Sequence, residues 1–331
     1  MPLPDVNTDD ISRGIARHFT DDSGAIYTAP RPADKPAMPL ADNLLRAEAD
    51  FRGEPWIEYL REHTEIPVFA VCVYFAIVFY LPQHLRHRAA FRLRAPFAAW
   101  NLVLAVFSLL GAARTVPHLA RAVQRDGFRS TVCRDPREWY LDGAVGMWVA
   151  LFIVSKLPEL LDTVFLVLQK KNVIFLHWFH HVTVMLYCWH AFANCVASGL
   201  WFVCMNLVVH SAMYSYYFLM AVRLYRVATP FAPLITAMQI LQMAAGSLVT
   251  AVSAVEYYAG GPDACAVHPA NFKLGLAMYA CYMVLFGLLF YTKYLDSGEV
   301  CGVDVHEARV DITGRFAHVQ PRVAGARKRE D

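Results

Sequence analysis

Seven apolar stretches divide the chain, and each is long enough to cross the roughly 30 Å hydrocarbon core of a bilayer. They lie at residues 66–82, 95–116, 144–167, 173–192, 198–222, 232–256 and 272–294. Lipid offers the backbone no hydrogen-bonding partner, so a single segment that crosses it has to be a helix. The content of hydrophobic residues, 57%, also exceeds that of an ordinary soluble domain. We therefore predict an all-α integral membrane protein, a bundle of about seven transmembrane helices.

The two ends of the chain differ from this apolar region. Residues 1–50 combine prolines with scattered charges and lack the apolar core of a secretory signal, so we expect a mobile N-terminal extension. The transmembrane domain then covers residues 51–296, and a basic tail covers residues 297–331.

The distribution of Lys and Arg indicates the orientation of the predicted spans. Positive charges follow the first, third, fifth and seventh spans, as in Lys170-Lys171 and the loop with Arg223 and Arg226, and cytosolic loops retain such charges. The loop at 118–143 contradicts this pattern, because it carries five arginines. The other loops predict a lumenal N-terminus and a cytosolic C-terminus.

Eight cysteines are present without a C-x-x-C pair, which argues against a zinc site or a thioredoxin-type motif. Cys133 and Cys265 fall in the two longer connections that the charge distribution assigns to the lumen. An oxidising compartment permits such side chains to pair. We predict a disulfide between Cys133 and Cys265, and the alternative is two unrelated loop thiols.

The fourth span contains His177-Trp178-Phe179-His180-His181 about two turns from its start, at a depth that normally excludes imidazoles. Steps of 100° per residue place His177, His180 and His181 within about a third of the helix circumference. One face of this helix therefore presents three rings, and we predict that they carry a function rather than only pack.

Other spans carry stripes of mostly polar and aromatic residues at helical spacing. They are Asn101 and Ser108 in the second span, Lys156, Glu159, Asp162 and Thr163 in the third, Asn206, His210, Met213, Tyr214 and Tyr217 in the fifth, and Thr236, Gln239 and Gln242 in the sixth. A charge in lipid is costly, so Lys156 should pair with Glu159 or Asp162 inside the bundle, next to a kink at Pro158. This pair either orients catalytic groups or only fixes helix register.

Most of these polar residues lie within about three turns of the predicted cytosolic ends, and His210 is somewhat deeper. We therefore predict a cavity that opens to the cytosol and is closed below by apolar side chains. Such a cavity suits a substrate with a polar head and an apolar tail, as in an acyl thioester.

The order and spacing of four motifs resemble those of the very-long-chain fatty acid elongase family. The motifs are Lys156-Leu157-Pro158-Glu159-Leu160-Leu161-Asp162-Thr163, His177-Trp178-Phe179-His180-His181, Asn206 to His210 with Met213-Tyr214-Ser215-Tyr216-Tyr217, and Thr236, Gln239 and Gln242. The resemblance runs from about Trp100 to the seventh span.

Membership of this family implies a multi-pass protein of the endoplasmic reticulum membrane that acts as a 3-oxoacyl-CoA synthase. It would condense a long-chain acyl-CoA with malonyl-CoA and release CO2 and free CoA, without a bound cofactor or metal. Its expected surroundings are membrane lipid and the ketoreductase, dehydratase and enoyl reductase of the elongation cycle, and oligomers are compatible with it. A net charge of +2 and the lack of a basic groove do not indicate a nucleic-acid partner.

We predict catalytic roles for His177, His180, His181 and His210. Residues expected to orient these groups or bind substrate are Asn101, Lys156, Glu159, Asp162, Thr163, Asn206, Tyr214, Tyr217, Gln239 and Gln242. Two mechanisms remain open at this point. Either His180 attacks the acyl-CoA to form an acyl-imidazole, or a ternary complex forms in which His180 or His181 acts as acid or base.

Two other classes compete with this interpretation. A His-x-x-His-His box also suits iron, as in a membrane di-iron desaturase or oxygenase, but this chain has one such box, and His84 and His87 form only an i, i+3 pair. A non-enzymatic lipid transporter would be expected to show internal repeats or helices broken at matching positions, and the sequence shows neither.

Overall fold

Each predicted span coincides with helical backbone in the computed structural model, which describes residues 18–20, 26–28 and 40–295. The α-helices are α1 Leu40–Asp50, α2 Glu54–Glu62, α3 Glu65–Phe75, α4 Leu81–His84, α5 Arg94–Cys133, α6 Gly143–Ser155, α7 Leu161–Leu168, α8 Phe175–Ala193, α9 Gly199–Ala221, α10 Tyr225–Ala228, α11 Ala232–Gly260 and α12 Pro269–Phe290. Single turns of 3₁₀-helix lie at Pro136–Glu138, Pro158–Leu160 and Thr229–Phe231, and π-helical turns lie at Ala76–Tyr80 and Tyr291–Leu295.

The chain divides into two units, Met1–Ala47 and Glu48–Asp331. In the first unit, strands β1 (His18–Thr20) and β2 (Ile26–Thr28) pair antiparallel, with Phe19 opposite Tyr27. The predicted mobile extension over residues 1–50 contains these strands and α1, and the rest of it lies outside the described residues. The predicted tail at 297–331 also lies outside them.

Within the described residues, five helical segments are long and apolar enough to cross a membrane. They are Glu65–His84, Arg94–Cys133, Gly199–Ala221, Tyr225–Gly260 and Pro269–Leu295. The prediction of an all-α integral membrane protein is confirmed. The two other predicted spans coincide with α6 and α7, and with α8, and the number of seven crossings stays a prediction.

Helix α5 differs from the prediction, because the helical path continues to Cys133, with a break at Gly127, where the sequence predicts a loop from residue 118. Leu119 and Ala122 are buried on this extension, so packing against the bundle keeps it helical. The backbone leaves helical geometry at Gly127, whose φ of 82° favours glycine. Arg121, Arg125 and Arg129 of the expected loop instead lie on α5, where Arg129 pairs with Glu256.

Helices α6 and α7 form one broken path through the bundle. Pro158 lacks a backbone N–H and begins the 3₁₀ turn Pro158–Leu160 between them, at the predicted kink. This break lies beside the buried side chains of Lys156 and Glu159.

The helical bundle has two ends, the Lys170 end and the disulfide end. The Lys170 end contains the turn at Lys170 between α7 and α8, and the disulfide end contains the pair Cys133 and Cys265. At the disulfide end, Arg137 bonds to both carboxylate oxygens of Glu54 on α2, at 2.8 and 2.9 Å. These bonds hold α2 across the end of the bundle.

Asp142 adds a second connection at the disulfide end, just before α6. It accepts hydrogen bonds from the Gly53 backbone N–H at 2.9 Å and from Arg52 at 2.8 Å. The Gly53 bond, together with the Arg52 guanidinium, lowers the pKa of Asp142. The segment before α2 is therefore attached directly to the start of α6.

Cys133 and Cys265, the predicted pair, form a disulfide that joins the end of α5 to the loop before α12. The Ala266 N–H donates to the Cys133 carbonyl at 2.8 Å, and the Ala197 N–H donates to the Ala266 carbonyl at 2.9 Å. The disulfide therefore joins two segments that also share backbone hydrogen bonds, and one of these segments bonds to the α8–α9 turn.

Replacing both cysteines, as Cys133→Ser with Cys265→Ser, is expected to lower the free energy of unfolding by about 2–4 kcal/mol. The bond closes a sequence separation of 132 residues, so its loss frees a long loop in the unfolded chain. Thermal unfolding of detergent-solubilised protein measures the effect, with wild type in reductant as the control. Equal melting temperatures for the double variant and oxidised wild type would contradict this expectation.

Candidate active site

A cavity of about 810 Å³ lies among the helices toward the Lys170 end. Most of the predicted site residues line it, namely Asn101, Asp162, His177, His180, His181, Asn206, His210, Tyr214, Tyr217, Gln239 and Gln242. Lys156, Glu159 and Thr163 are not on its surface, because they are buried behind it with exposed fractions of 2%, 4% and 0%. The structure thus separates residues that face the cavity from residues that support them.

A second, narrow cavity extends toward the disulfide end. Its walls are mostly apolar and include Ile57 of α2, Leu141, Val149, Phe152, Val184, Phe192, Val196, Phe202 and Val203. The two cavities share the side chains of His180, Asn206, Gln242 and Met243. A polar chamber and an apolar slot therefore meet at His180, which suits a ligand with a polar head and a hydrocarbon tail.

Lys156 and Glu159 form a buried ion pair, with Nζ at 2.7 and 3.0 Å from the two carboxylate oxygens. The sequence left Glu159 and Asp162 as alternative partners, and the structure selects Glu159. Lys156 also donates to Asn206 Oδ1 at 3.3 Å. Oε2 of Glu159 lies 3.9 Å from His210 Nδ1. The carboxylate is therefore close enough to stabilise positive charge on the His210 ring.

Asp162 instead accepts two hydrogen bonds from aromatic side chains. Trp100 donates its indole N–H at 2.7 Å, and Tyr214 donates its hydroxyl at 2.9 Å. Helices α5, α7 and α9 are joined through this one carboxylate. The sequence did not single out Trp100 as a site residue, although it directly precedes Asn101.

His177 is held by a chain of hydroxyl groups. Its Nε2 lies 2.8 Å from Thr163 Oγ1, which lies 2.7 Å from the Tyr74 hydroxyl. Tyr74 is 1% exposed and belongs to α3. No sequence signal identified Tyr74, because a single tyrosine in an apolar span has no neighbours that mark it. His181 packs against His177, with ring centroids 4.6 Å apart.

His180 differs from His177 and His210 in its contacts. Its Nδ1 is buried without a hydrogen-bond partner among the described residues. Its ring packs against Tyr282, with centroids 4.9 Å apart, at the junction of the two cavities. Leaving a buried polar atom without a partner costs about 1–3 kcal/mol, so this ring is not held by a side-chain hydrogen bond at Nδ1 as His177 is held at Nε2.

Metal binding requires several convergent ligands, and the part of the chain that the structure describes contains no group of three His, Cys, Asp or Glu side chains arranged for it. His177 and His210 instead face a hydroxyl group and a carboxylate of the protein. A hydroxyl group and a carboxylate are partners that suit acid–base chemistry at these imidazoles.

Comparisons with known proteins show the family of this chain. Residues 59–300 match the model of the ELO family, described as the GNS1/SUR4 family. Fatty acid elongase 3 of Trypanosoma cruzi is 43% identical over 283 residues, which cover 78% of this chain and 94% of that protein. Very long chain fatty acid elongase 6 of Drosophila melanogaster is 40% identical over 70% of this chain and 73% of that protein. The mouse protein of the same name is 37% identical over 75% and 91%. The chain therefore belongs to the ELO (GNS1/SUR4) family.

Proposed function

We propose that this chain is a fatty acid elongase that condenses a long-chain acyl-CoA with malonyl-CoA to give a 3-oxoacyl-CoA, CO2 and CoA. The observation that carries the proposal is the position of His180, where the polar cavity meets the narrow apolar one. The names of its relatives support the same activity. The acyl tail would occupy the narrow cavity and the CoA group the large one.

The first half-reaction transfers the acyl group to His180. A ring nitrogen attacks the thioester carbon, so that a C–N bond forms and the C–S bond breaks. CoA leaves as a thiolate and takes the proton that the imidazole loses. Asn206 and Gln242 line both cavities, and their side-chain N–H groups are suited to stabilise the negative charge that develops on the thioester oxygen.

The second half-reaction uses malonyl-CoA in the same large cavity. Loss of CO2 leaves an electron pair on the α-carbon, which attacks the acyl carbon as the C–N bond to His180 breaks. One proton from solvent, delivered by His210, restores the neutral imidazole. We assign orientation of His210 to Glu159, and substrate contacts to Asn101, Tyr214, Tyr217 and Gln239.

The size of the large cavity supports the acyl-imidazole scheme over the ternary complex. Its volume of about 810 Å³ falls in the roughly 300–1,000 Å³ range of pockets that enclose a single ligand. Two CoA groups would compete for this space, so sequential occupation is favoured. His210 lines this cavity and not the narrow one, which suits a role toward malonyl-CoA.

We further propose that the protein resides in the endoplasmic reticulum membrane with its Lys170 end toward the cytosol. The basic loops favour this orientation, and a disulfide at the other end suits an oxidising lumen. The N-terminus would then be lumenal and the C-terminus cytosolic. The product would pass to the ketoreductase, dehydratase and enoyl reductase of the same cycle.

Purified protein with palmitoyl-CoA and malonyl-CoA labelled in its free carboxyl carbon tests the activity. We expect labelled CO2 and one free CoA for each 3-oxoacyl-CoA detected by mass spectrometry. Malonyl-CoA alone serves as the control and should release little label. Iron-dependent oxygen consumption without CO2 release would support the desaturase alternative, and movement of acyl chains across vesicles without chemistry would support a transporter.

A further inference from the structure

Helix α8 runs beside the narrow cavity from His180 toward the disulfide end, so residue positions along it give distances from His180. Its side chains on the cavity wall are His180, Val184, Tyr187, Cys188, Ala191 and Phe192. Side chains of one helix lean in the same direction along its axis, so their spacing follows the helical rise. Tyr187 therefore lies about 10.5 Å deeper than His180.

This depth can be expressed as a position along an acyl chain. Carbon–carbon bonds of about 1.5 Å at tetrahedral angles advance an extended chain by about 1.25 Å per carbon. A chain whose thioester carbon lies at His180 therefore passes Tyr187 at about carbon 9.

Tyr187 bridges α8 and α12 through its hydroxyl group. It donates to Asn271 Oδ1 at 3.0 Å, and Asn271 is 2% exposed. Nδ2 of Asn271 lies 3.1 Å from His190 Nδ1, so the amide is held from both sides. The phenol is therefore fixed in place as a wall of the cavity.

Gly275 lies one turn after Asn271 and leaves room for the Tyr187 hydroxyl. A Cβ at this position would lie 2.6 Å from the hydroxyl oxygen and 3.2 Å from the ring carbon that carries it. Tyr279, on the same cavity wall, packs against a glycine in the same way, because a Cβ at Gly246 would lie 2.7 Å from its ring. Both tyrosine rings contact a glycine directly, so neither has space to withdraw from the cavity.

We propose that Tyr187, seated on Asn271 and Gly275, selects saturated acyl chains by requiring a straight chain at about carbon 9. This inference rests on the proposed function and defines its substrate class. A saturated chain passes the ring in its extended conformation. A cis double bond near the same carbon displaces the chain sideways, toward a ring that cannot move away.

Competition between palmitoyl-CoA and cis-9-hexadecenoyl-CoA tests the selection. Wild type is expected to favour the saturated substrate about 10-fold or more in kcat/KM. Tyr187→Leu removes the phenol and keeps an apolar wall, so the ratio should fall toward one. Equal use of both substrates by wild type, or an unchanged ratio in Tyr187→Leu, would overturn the proposal.

Gly275→Ala tests the contact between Gly275 and the Tyr187 side chain. The added Cβ should push the Tyr187 hydroxyl toward the cavity and lower kcat/KM for palmitoyl-CoA relative to octanoyl-CoA by about 10-fold, because an eight-carbon chain ends before the ring. Adding Tyr187→Phe removes the atom that collides and should restore the ratio. Gly287→Ala on the same helix is the matched control, since its added Cβ meets nothing within 4 Å.

A Gly275→Ala variant that lowers both activities equally and is not restored by Tyr187→Phe would overturn the role of this seat. Failure of the proposed function gives a different result, because wild type would then form no 3-oxoacyl-CoA from any acyl-CoA tested.

Discussion

Incubation with palmitoyl-CoA alone is expected to increase the intact mass of the purified protein by one palmitoyl group, and His180→Ala should abolish this increase. The reason is that His180 lines both cavities, at the place where the thioester of a bound acyl-CoA would lie. Without malonyl-CoA the acyl-imidazole has no acceptor other than water, so it should accumulate. Intact-mass spectrometry measures the adduct, and free CoA should appear in equal amount.

The same His180→Ala variant should lose condensation by about four orders of magnitude or more, because the nucleophile is gone. His210→Ala should still form the adduct and lose about 100- to 10,000-fold in the second half-reaction, as is typical for a missing general acid or base. These different results would distinguish the roles of His180 and His210, although both side chains line the large cavity.

His84→Ala is a suitable control for unspecific acylation, because His84 is exposed at the Lys170 end. An adduct that persists in His180→Ala would place the nucleophile elsewhere. If no adduct forms in wild type while CO2 release still requires both substrates, the ternary-complex mechanism replaces the acyl-imidazole.

The second large effect is expected from Lys156→Met, which should destabilise the protein by about 3–5 kcal/mol. Lys156 is 2% exposed and pairs with Glu159, so its loss leaves a buried carboxylate without its cation. The double variant Lys156→Met with Glu159→Leu removes both charges and should recover much of this stability, because an apolar pair avoids the desolvation cost.

In that double variant the stability should recover, and the activity should not. Glu159 no longer faces His210, so condensation should remain low even though the fold is restored. Thermal unfolding in detergent and the condensation assay measure the two quantities on the same samples. Equal stability of Lys156→Met and wild type would contradict the buried pair, and full activity of the double variant would reduce the pair to a packing role.

Much of the fold follows from local properties of the sequence. Apolar stretches predicted helices because lipid leaves the backbone no other partner, and Pro158 predicted the break between α6 and α7. The predicted end of α5 was wrong, because hydropathy falls after residue 116 while the helix continues to Cys133. Burial of Leu119 and Ala122 against other helices decides that extension, and such contacts have no local signature.

The candidate site, like the fold, could be predicted from the sequence only in part. Helical spacing by itself brought the three histidines of α8 to one face and indicated that Lys156 pairs with a carboxylate of its own span. Only tertiary structure decided that Glu159 is this partner, that Asp162 binds Trp100 and Tyr214, and that Tyr74 supports Thr163. The sequence thus determined which residues lie on each helix face. Packing between helices decided which faces meet, because those contacts join residues far apart in the chain.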